Sequence, residues 1–180
     1  MSIFISLQHL EQRPFRFSVD LAPNEIEFDN KITQLTPLHA EGTAQFLNQS
    51  LGEIRVRGKV KVSMEQLCDR CLEPSNLHLD DGFDLLYMPA EETAMGERAI
   101  DRGAIDIGYY KGNGLDLNDI LREVVLLAMP MQVICKEACL GICPVCGQNR
   151  NQRDCGCHMQ ATDERWSQLK SLRTGVNPRP

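Results

Sequence analysis

The chain has 180 residues, of which 42% are hydrophobic, so it can bury a core and is not an intrinsically disordered protein. Its formal net charge of −6 excludes a protein covered with basic surface. The charge is uneven: residues 1–130 hold 12 Lys/Arg and 21 Asp/Glu, a net of −9, whereas residues 131–180 hold 7 and 4, a net of +3. A polyanionic partner would therefore contact the C-terminal third or a local patch.

The compartment follows from the first residues and from the cysteines. The N-terminus lacks the basic region and the apolar run of a signal peptide, and no stretch approaches the roughly 18 apolar residues that a membrane span needs. We therefore expect a cytoplasmic protein without a membrane partner. Because cytoplasmic thiols stay reduced, the eight cysteines favour metal binding over disulfides.

Alternating apolar and polar residues predict a mainly antiparallel sheet. Short strands are expected over residues 2–8 and 13–21, and three long strands in meander order begin near Leu38, Ile54 and Leu77. Residues 105–110 predict one more strand. The acidic stretch 89–104 predicts a loop without chemistry of its own.

Two helices are predicted after the strands. Asp116 is a good N-cap for a helix that ends at Met129, because Pro130 cannot continue it. A last helix is expected from Thr162. The predicted fold class is therefore α+β, a mainly antiparallel sheet with two helices and a C-terminal zinc-stapled segment. We expect residues 1–130 to form the sheet and first helix, and residues 131–180 to form a zinc-binding segment with the last helix.

Six of the eight cysteines lie within 23 residues near the C-terminus. Cys143-Pro-Val-Cys146 followed by glycine has the form of a zinc knuckle, in which a tight turn presents two thiolates to one metal ion. Cys155-Gly-Cys157 supplies two more thiolates after eight residues. Four thiolates close the tetrahedron of a structural zinc site with no open coordination position.

The remaining cysteines allow more than one interpretation. Cys68, Cys71, Cys135 and Cys139 could form a second four-thiolate site, so one or two Zn²⁺ ions are expected per chain. In a rival pairing, Cys68 and Cys71 would join Cys143 and Cys146 in the manner of a zinc ribbon. The four could also be small buried hydrophobic residues. A thioredoxin-like redox pair of Cys68 and Cys71 is disfavoured, because no parallel βαβ pattern surrounds it.

Two groups of basic residues are candidate nucleic-acid contacts. Alternation places Arg55, Arg57, Lys59 and Lys61 on one strand face, where they could follow a phosphate backbone. The alternative is ordinary cross-strand pairing with Glu41, Asp80 and Asp84. The second group lies beside or after the cysteines and consists of Arg150, Arg153 and Arg165, together with Lys170 and Arg173. The alternative is that Arg150 and Arg153, with Lys136, only offset the charge of a four-thiolate zinc site.

Catalytic motifs are absent from the sequence. The four histidines are scattered, and there is neither a phosphate-binding glycine-rich loop nor a nucleophile elbow. We therefore expect a protein that is not an enzyme and has no small-molecule substrate.

The cysteine segments resemble those of the YceD family. Cys68-Asp-Arg-Cys71-Leu72 is similar to the family's Cys-x-Arg-Cys-Leu signature, and Asp116-Leu117 opens a helix that ends in Leu127-Ala-Met-Pro130 as in the family's middle element. The distal match is Gly141-Ile-Cys143-Pro-Val-Cys146-Gly-Gln-Asn149-Arg-Asn151 with Cys155-Gly-Cys157, and Asp163-Glu-Arg165 resembles the closing helix. The resemblance covers about residues 13–174. Ile142 and Arg150 stand where the family usually or frequently has leucine.

This resemblance implies a cytosolic, non-catalytic factor for accumulation of 23S rRNA in large-subunit biogenesis. Its implied partners are rRNA or a pre-50S particle, and also a ribosomal protein, since the family is often encoded beside one. Some members lack the distal cysteines, which implies that zinc staples the fold. Two alternative functions are an adaptor for a ribosomal protein without RNA contact and a zinc-dependent redox sensor.

Overall fold

The computed structural model describes residues 3–29, 31–47, 52–90 and 107–157, and these form eight strands and two helices. In chain order the elements are β1 (Phe4–Ser6), α1 (Leu7–Gln12), β2 (Phe15–Leu21), β3 (Ile32–Gln34), β4 (Leu38–Phe46), β5 (Ile54–Leu67), β6 (Pro74–Pro89), β7 (Ile107–Tyr110), β8 (Gly114–Asp116) and α2 (Leu117–Ala128). The predicted loop at 89–104 lies almost wholly outside the described residues, and the predicted helix from residue 162 lies entirely outside them.

Most strands form one antiparallel sheet in the order β2-β4-β5-β6-β7, with β3 paired to the end of β5. Among the described strands, β6 and β7 are the one pair that runs parallel. β1 and β8 form a separate antiparallel pair. The α+β class and the mainly antiparallel sheet are confirmed, and the boundary at residue 130 stays a prediction.

The N-terminal segment differs from the expected strand over residues 2–8. The strand covers only Phe4–Ser6, and residues 7–12 turn into helix α1. Ile3 and Ile5 keep the two-residue spacing of a strand, but Leu7 and Leu10 are three residues apart, which is a helical spacing. Both leucines pack against the core, and Leu10 is fully buried there.

The core lies on one face of the sheet. The even-numbered apolar residues of β4 and β5 are buried there, beneath α2, whose apolar side packs onto the same cluster. The helix begins as predicted, since Asp116 Oδ1 accepts a hydrogen bond from the Asn118 N–H at 2.8 Å. The opposite face of β5 carries the row of cations and is open to solvent.

A row of two phenylalanines and two glycines crosses this sheet. Phe17 pairs with Gly42, Gly42 with Gly58, and Gly58 with Phe83. The phenyl rings fill the space beside the glycines: a Cβ built on Gly58 would lie 2.7 Å from Phe83 Cζ and 2.5 Å from the Glu41 carbonyl oxygen. The row therefore has no room for a methyl group on the glycines.

The long β5–β6 hairpin presents the first cysteine pair at its tip. The two strands pair from Ile54 with Tyr87 to Leu67 with Pro74, so the turn that contains Cys68 and Cys71 closes the hairpin. After α2 the chain returns to this turn at Val133. Its carbonyl accepts from the Asp69 N–H at 2.8 Å, and its own N–H donates to Asp69 Oδ2 at 2.7 Å. The region with the other six cysteines is thereby attached to the sheet.

Candidate metal centre

The eight cysteine sulfurs form two clusters of four. Cluster A comprises Cys68, Cys71, Cys135 and Cys139, and cluster B comprises Cys143, Cys146, Cys155 and Cys157; within each, the sulfurs lie within 4.8 Å of one another. The structure thus groups the sulfurs by the first of the two pairings considered from the sequence and separates Cys68 and Cys71 from Cys143 and Cys146.

The sulfur spacing in cluster A fits one tetrahedral metal ion. The Cys68 and Cys139 sulfurs are 3.9 Å apart, and those of Cys71 and Cys135 are 3.6 Å apart. A tetrahedral ion with metal–sulfur bonds of about 2.3 Å places its sulfurs about 3.8 Å apart. All eight cysteines are free thiols rather than disulfides. The arrangement has the ligand type, number and spacing of a closed structural zinc site.

The Cys-x-x-Cys turns of the two clusters have the same backbone structure. The Leu72 N–H donates to the Cys68 carbonyl and the Gly147 N–H to the Cys143 carbonyl, each at 2.8 Å. Both residues have positive φ, 61° at Leu72 and 75° at Gly147. The turn of cluster A ends where the Cys68 N–H bonds the Glu73 carbonyl, and the turn of cluster B repeats this bond from Cys143 to Gln148, again at 2.8 Å. The chain therefore forms the same backbone turn at both Cys-x-x-Cys pairs.

Backbone N–H groups in these turns favour the thiolate forms. Those of Cys146 and Val145 lower the pKa of the Cys143 thiol to about 6, against the opposing effect of desolvation. At Cys68 burial opposes ionisation, but N–H groups including that of Cys135 outweigh it and lower the pKa to about 6.

In each cluster one sulfur, that of Cys135 or of Cys157, resists ionisation without a cation. Burial raises the pKa of the Cys135 thiol to about 12, and the hydrogen bond with the Cys71 sulfur adds to this effect. The neighbouring Cys146 and Cys155 sulfurs raise the pKa of Cys157 to about 12. Four thiolates this close repel one another, so each cluster needs a bound cation to be fully ionised.

The two clusters differ in solvent exposure. In cluster A, Cys68, Cys71 and Cys139 are buried and Cys135 is exposed; in cluster B only Cys143 is buried. Ile134 packs against the buried sulfurs of cluster A. Cluster A therefore belongs to the folded interior, whereas cluster B lies at the surface.

Polar side chains that the sequence analysis did not assign join the two clusters. Asn151 Nδ2 lies 3.4 Å from the Cys139 sulfur, and Glu73 Oε1 accepts from Asn149 Nδ2 at 3.0 Å and from Gln152 Nε2 at 2.6 Å. The asparagines flanking Arg150 were the available signal, but Glu73, the partner of Asn149, is 76 residues away in sequence, and no local pattern identifies such a partner.

The cation row on β5 is largely paired with carboxylates across the sheet. Arg55 donates to both Asp84 oxygens at 2.8 and 2.7 Å, Arg57 donates to Asp84 at 3.0 Å, and Lys61 is 3.0 Å from Asp80. This is the cross-strand ion pairing that the sequence offered as the alternative to nucleic-acid contact. Lys59 lies opposite Glu41 in register, but in the described parts of the chain it makes no ion pair.

The basic residues beside the cysteines are differently placed. Arg150 and Arg153 are both exposed on the loop between Cys146 and Cys155, and neither forms an ion pair with a described residue. Arg165 lies outside the described residues. Arg150 and Arg153 thus lie on the same exposed loop beside cluster B, with solvent-accessible side chains.

A family model described as "Large ribosomal RNA subunit accumulation protein YceD" matches residues 56–173. The chain belongs to the YceD family. The matched range contains all eight cysteines and α2. The family takes its name from accumulation of large-subunit rRNA.

A curated relative carries the same description. It is the Arabidopsis thaliana protein named "Large ribosomal RNA subunit accumulation protein YCED homolog 1, chloroplastic", which is 26% identical over 152 residues, covering 67% of this chain and 44% of the relative. The chain thus spans less than half of that protein's length. No solved structure matches significantly. Among the described helices, none has the length and apolar character required to cross a membrane.

Proposed function

We propose that this YceD-family chain is a cytoplasmic, non-enzymatic ribosome biogenesis factor that supports 23S rRNA accumulation and binds one Zn²⁺ in each cysteine cluster. The observation that carries the proposal is that the family match encloses two complete four-sulfur clusters. A four-thiolate zinc site has no open position for a substrate or water, so zinc would act as a structural staple.

Direct contact with rRNA or a pre-50S particle would use the accessible guanidinium groups beside cluster B. Arg150 and Arg153 are exposed and unpaired within the described ranges, and Arg165 follows on the C-terminal side. In the β5 row, three of the four cations already bind carboxylates, and only Lys59 is left without such a partner in the described part of the chain. We therefore assign the main RNA contact to the arginines and a secondary one to Lys59.

The experiment is crosslinking and purification of the full chain from cells, followed by sequencing of the bound RNA. A variant with Arg150→Glu and Arg153→Glu should lose most of the large-subunit rRNA, because opposite charge replaces the phosphate contacts. A control with Lys111→Glu and Arg122→Glu makes the same change in net charge at exposed positions and should retain the RNA. Equal RNA recovery from both variants would contradict the assignment.

A second candidate is an adaptor that binds a ribosomal protein without touching RNA. The net charge of −9 over residues 1–130 favours a basic protein as partner. In that case both charge-reversal variants would recover the same ribosomal protein, and nuclease treatment before purification would leave that protein bound.

A further inference from the structure

The loop that closes cluster B is held by the turn of cluster A. Residues 147–154 connect Cys146 to Cys155 and so determine whether the two halves of cluster B meet. Within this loop, Asn149 and Gln152 both donate to Glu73 Oε1, at 3.0 and 2.6 Å. Glu73 belongs to the cluster A turn, where its carbonyl accepts from the Cys68 N–H.

Asn151 contacts a sulfur of cluster A directly. Its Nδ2 donates to the Cys139 sulfur at 3.4 Å and to Asn149 Oδ1 at 2.9 Å, and its Oδ1 accepts from the Leu140 N–H at 2.9 Å. Both ends of the amide are thus fixed. The Nδ2 end joins a cluster A sulfur to Asn149 of the cluster B loop, and the Oδ1 end holds the backbone of Leu140, next to Cys139.

The segment between the two clusters is also held in place by contacts with the cluster A turn. The Ile142 N–H, one residue before Cys143, donates to the Arg70 carbonyl at 2.9 Å. At Gly141, a Cβ would lie 2.9 Å from that same carbonyl oxygen, and its φ is +71°. The second Cys-x-x-Cys turn therefore begins directly against the first.

We propose that the two clusters bind Zn²⁺ with positive coupling and that Asn151 is the positioning residue that couples them. An ion in cluster A fixes Cys139 and the turn around Glu73, which in turn orders residues 149–152. Cluster B then binds its ion without the full entropic cost of closing its loop. Because coupling free energy is reciprocal, an ion in cluster B holds Asn151 against Cys139 and strengthens cluster A by the same factor.

This inference rests on the proposed zinc content and is tested by counting ions per molecule. Native mass spectrometry of the full chain, with zinc added until half of the sites are filled, separates molecules with no, one or two ions. Two independent sites, of equal or unequal affinity, leave at least half of the molecules with one ion. Residues that hydrogen-bond a metal ligand typically change metal affinity by about 10- to 100-fold. A coupling of about tenfold between sites of equal affinity would leave about a quarter of the molecules with one ion.

We expect the wild-type chain to show fewer than half of its molecules with one ion. Asn151→Ala should raise that fraction to half or more while two ions still bind at saturation and the far-ultraviolet circular dichroism is unchanged. Glu73→Gln keeps the accepting oxygen and should behave as wild type, whereas Glu73→Ala should behave as Asn151→Ala. Gln148→Ala is the control, because its exposed side chain makes no hydrogen bond with described residues of the same loop.

The results separate the two proposals. A one-ion fraction that is at or above half in the wild type and equal in Asn151→Ala overturns the coupling while leaving two zinc sites in place. If the one-ion fraction is below half in the wild type and stays equally low in Asn151→Ala, the role of Asn151 is overturned. A chain that binds no zinc at all overturns the proposed zinc content, and the coupling with it.

Discussion

Leu72 occupies a backbone conformation that leucine disfavours. Its φ is 61°, in the left-handed region, and its side chain is 57% exposed. Gly147 holds the equivalent position of the other Cys-x-x-Cys turn, where a residue without Cβ is free of this strain. The first turn therefore carries a local backbone cost that the second avoids.

We expect Leu72→Gly to raise the free energy of unfolding by about 1 kcal/mol, since a left-handed residue other than glycine costs about 1–2 kcal/mol and the more flexible unfolded chain offsets part of the gain. Urea denaturation measures the change. Gly147→Ala is the mirror control: a Cβ there meets nothing within 4 Å, so its expected destabilisation comes from the backbone alone. A loss of stability in Leu72→Gly would mean that the contacts of the exposed leucine outweigh its strain.

Asp84 accepts hydrogen bonds from two arginines on the exposed sheet face. The hydrogen bond from Arg55 holds its pKa well below the usual range, Arg57 adds to the effect, and desolvation opposes it. An unfolded aspartate titrates near pH 4. Because the folded pKa is depressed, the stabilisation is present above about pH 4 and is lost as the pH falls below that value.

Asp84→Asn should therefore lower the free energy of unfolding at pH 7 by up to about 1 kcal/mol, a magnitude limited by solvent screening. The difference from wild type should shrink below about pH 4 and at high salt. Urea denaturation at pH 7, 5 and 3.5 measures it. Asp80→Asn breaks a single contact to Lys61 and should have a smaller effect. An equal loss at every pH would contradict the ion-pair explanation.

At the scale of the elements, the close approach of strands at Gly58 constrains β5. Gly58→Ala should lower the free energy of unfolding by about 1–3 kcal/mol, because its Cβ would clash with the Glu41 backbone and the Phe83 ring. Gly82→Ala is the matched control, since its Cβ would lie 3.7 Å from the nearest atom, the Gly58 carbonyl oxygen. That change should be neutral or slightly stabilising. Similar effects of both substitutions in urea denaturation would contradict this account.

The long elements were predictable from sequence because their signals are local and repeated. Alternation of apolar residues identified β4, β5 and β6, and Asp116 and Pro130 bounded α2. The parallel pairing of β7 and the helix α1 were not predicted, because four strand residues and six helical residues carry too little periodicity. The predicted strand at residues 2–8 was longer than the observed β1 for the same reason.

At the scale of the whole molecule, the cysteine sites were only half predictable. Spacing identified the cysteine turns as candidates, but the grouping of sulfurs depends on how the chain after α2 returns to the β5–β6 turn. That return is set by contacts such as Asp69 with Val133, which join residues 64 positions apart. Sequence spacing carries no information about contacts of this range.

Metal removal should unfold one part of the molecule and leave another intact. With chelator, amide hydrogen exchange is expected to rise sharply over residues 131–157 and the turn at 68–73, because the thiolates lose the charge that holds them together. The buried strands β4 and β5 should stay protected, since their core is apolar and independent of the sulfurs. Unchanged exchange over residues 131–157 after complete zinc removal would contradict a structural role for the metal.

The meeting of Cys71 and Cys135 has a topological consequence. The two residues are 64 positions apart, so an ion shared by their sulfurs closes a ring of chain that contains β6, β7, β8 and α2. A covalent cross-link over a ring of this size removes unfolded-state entropy worth about 4 kcal/mol. That contribution varies only logarithmically with ring size, and doubling the ring changes it by about 0.6 kcal/mol. Insertions or deletions between Ala90 and Ile107 should thus leave the stabilisation from an ion shared by Cys71 and Cys135 nearly unchanged.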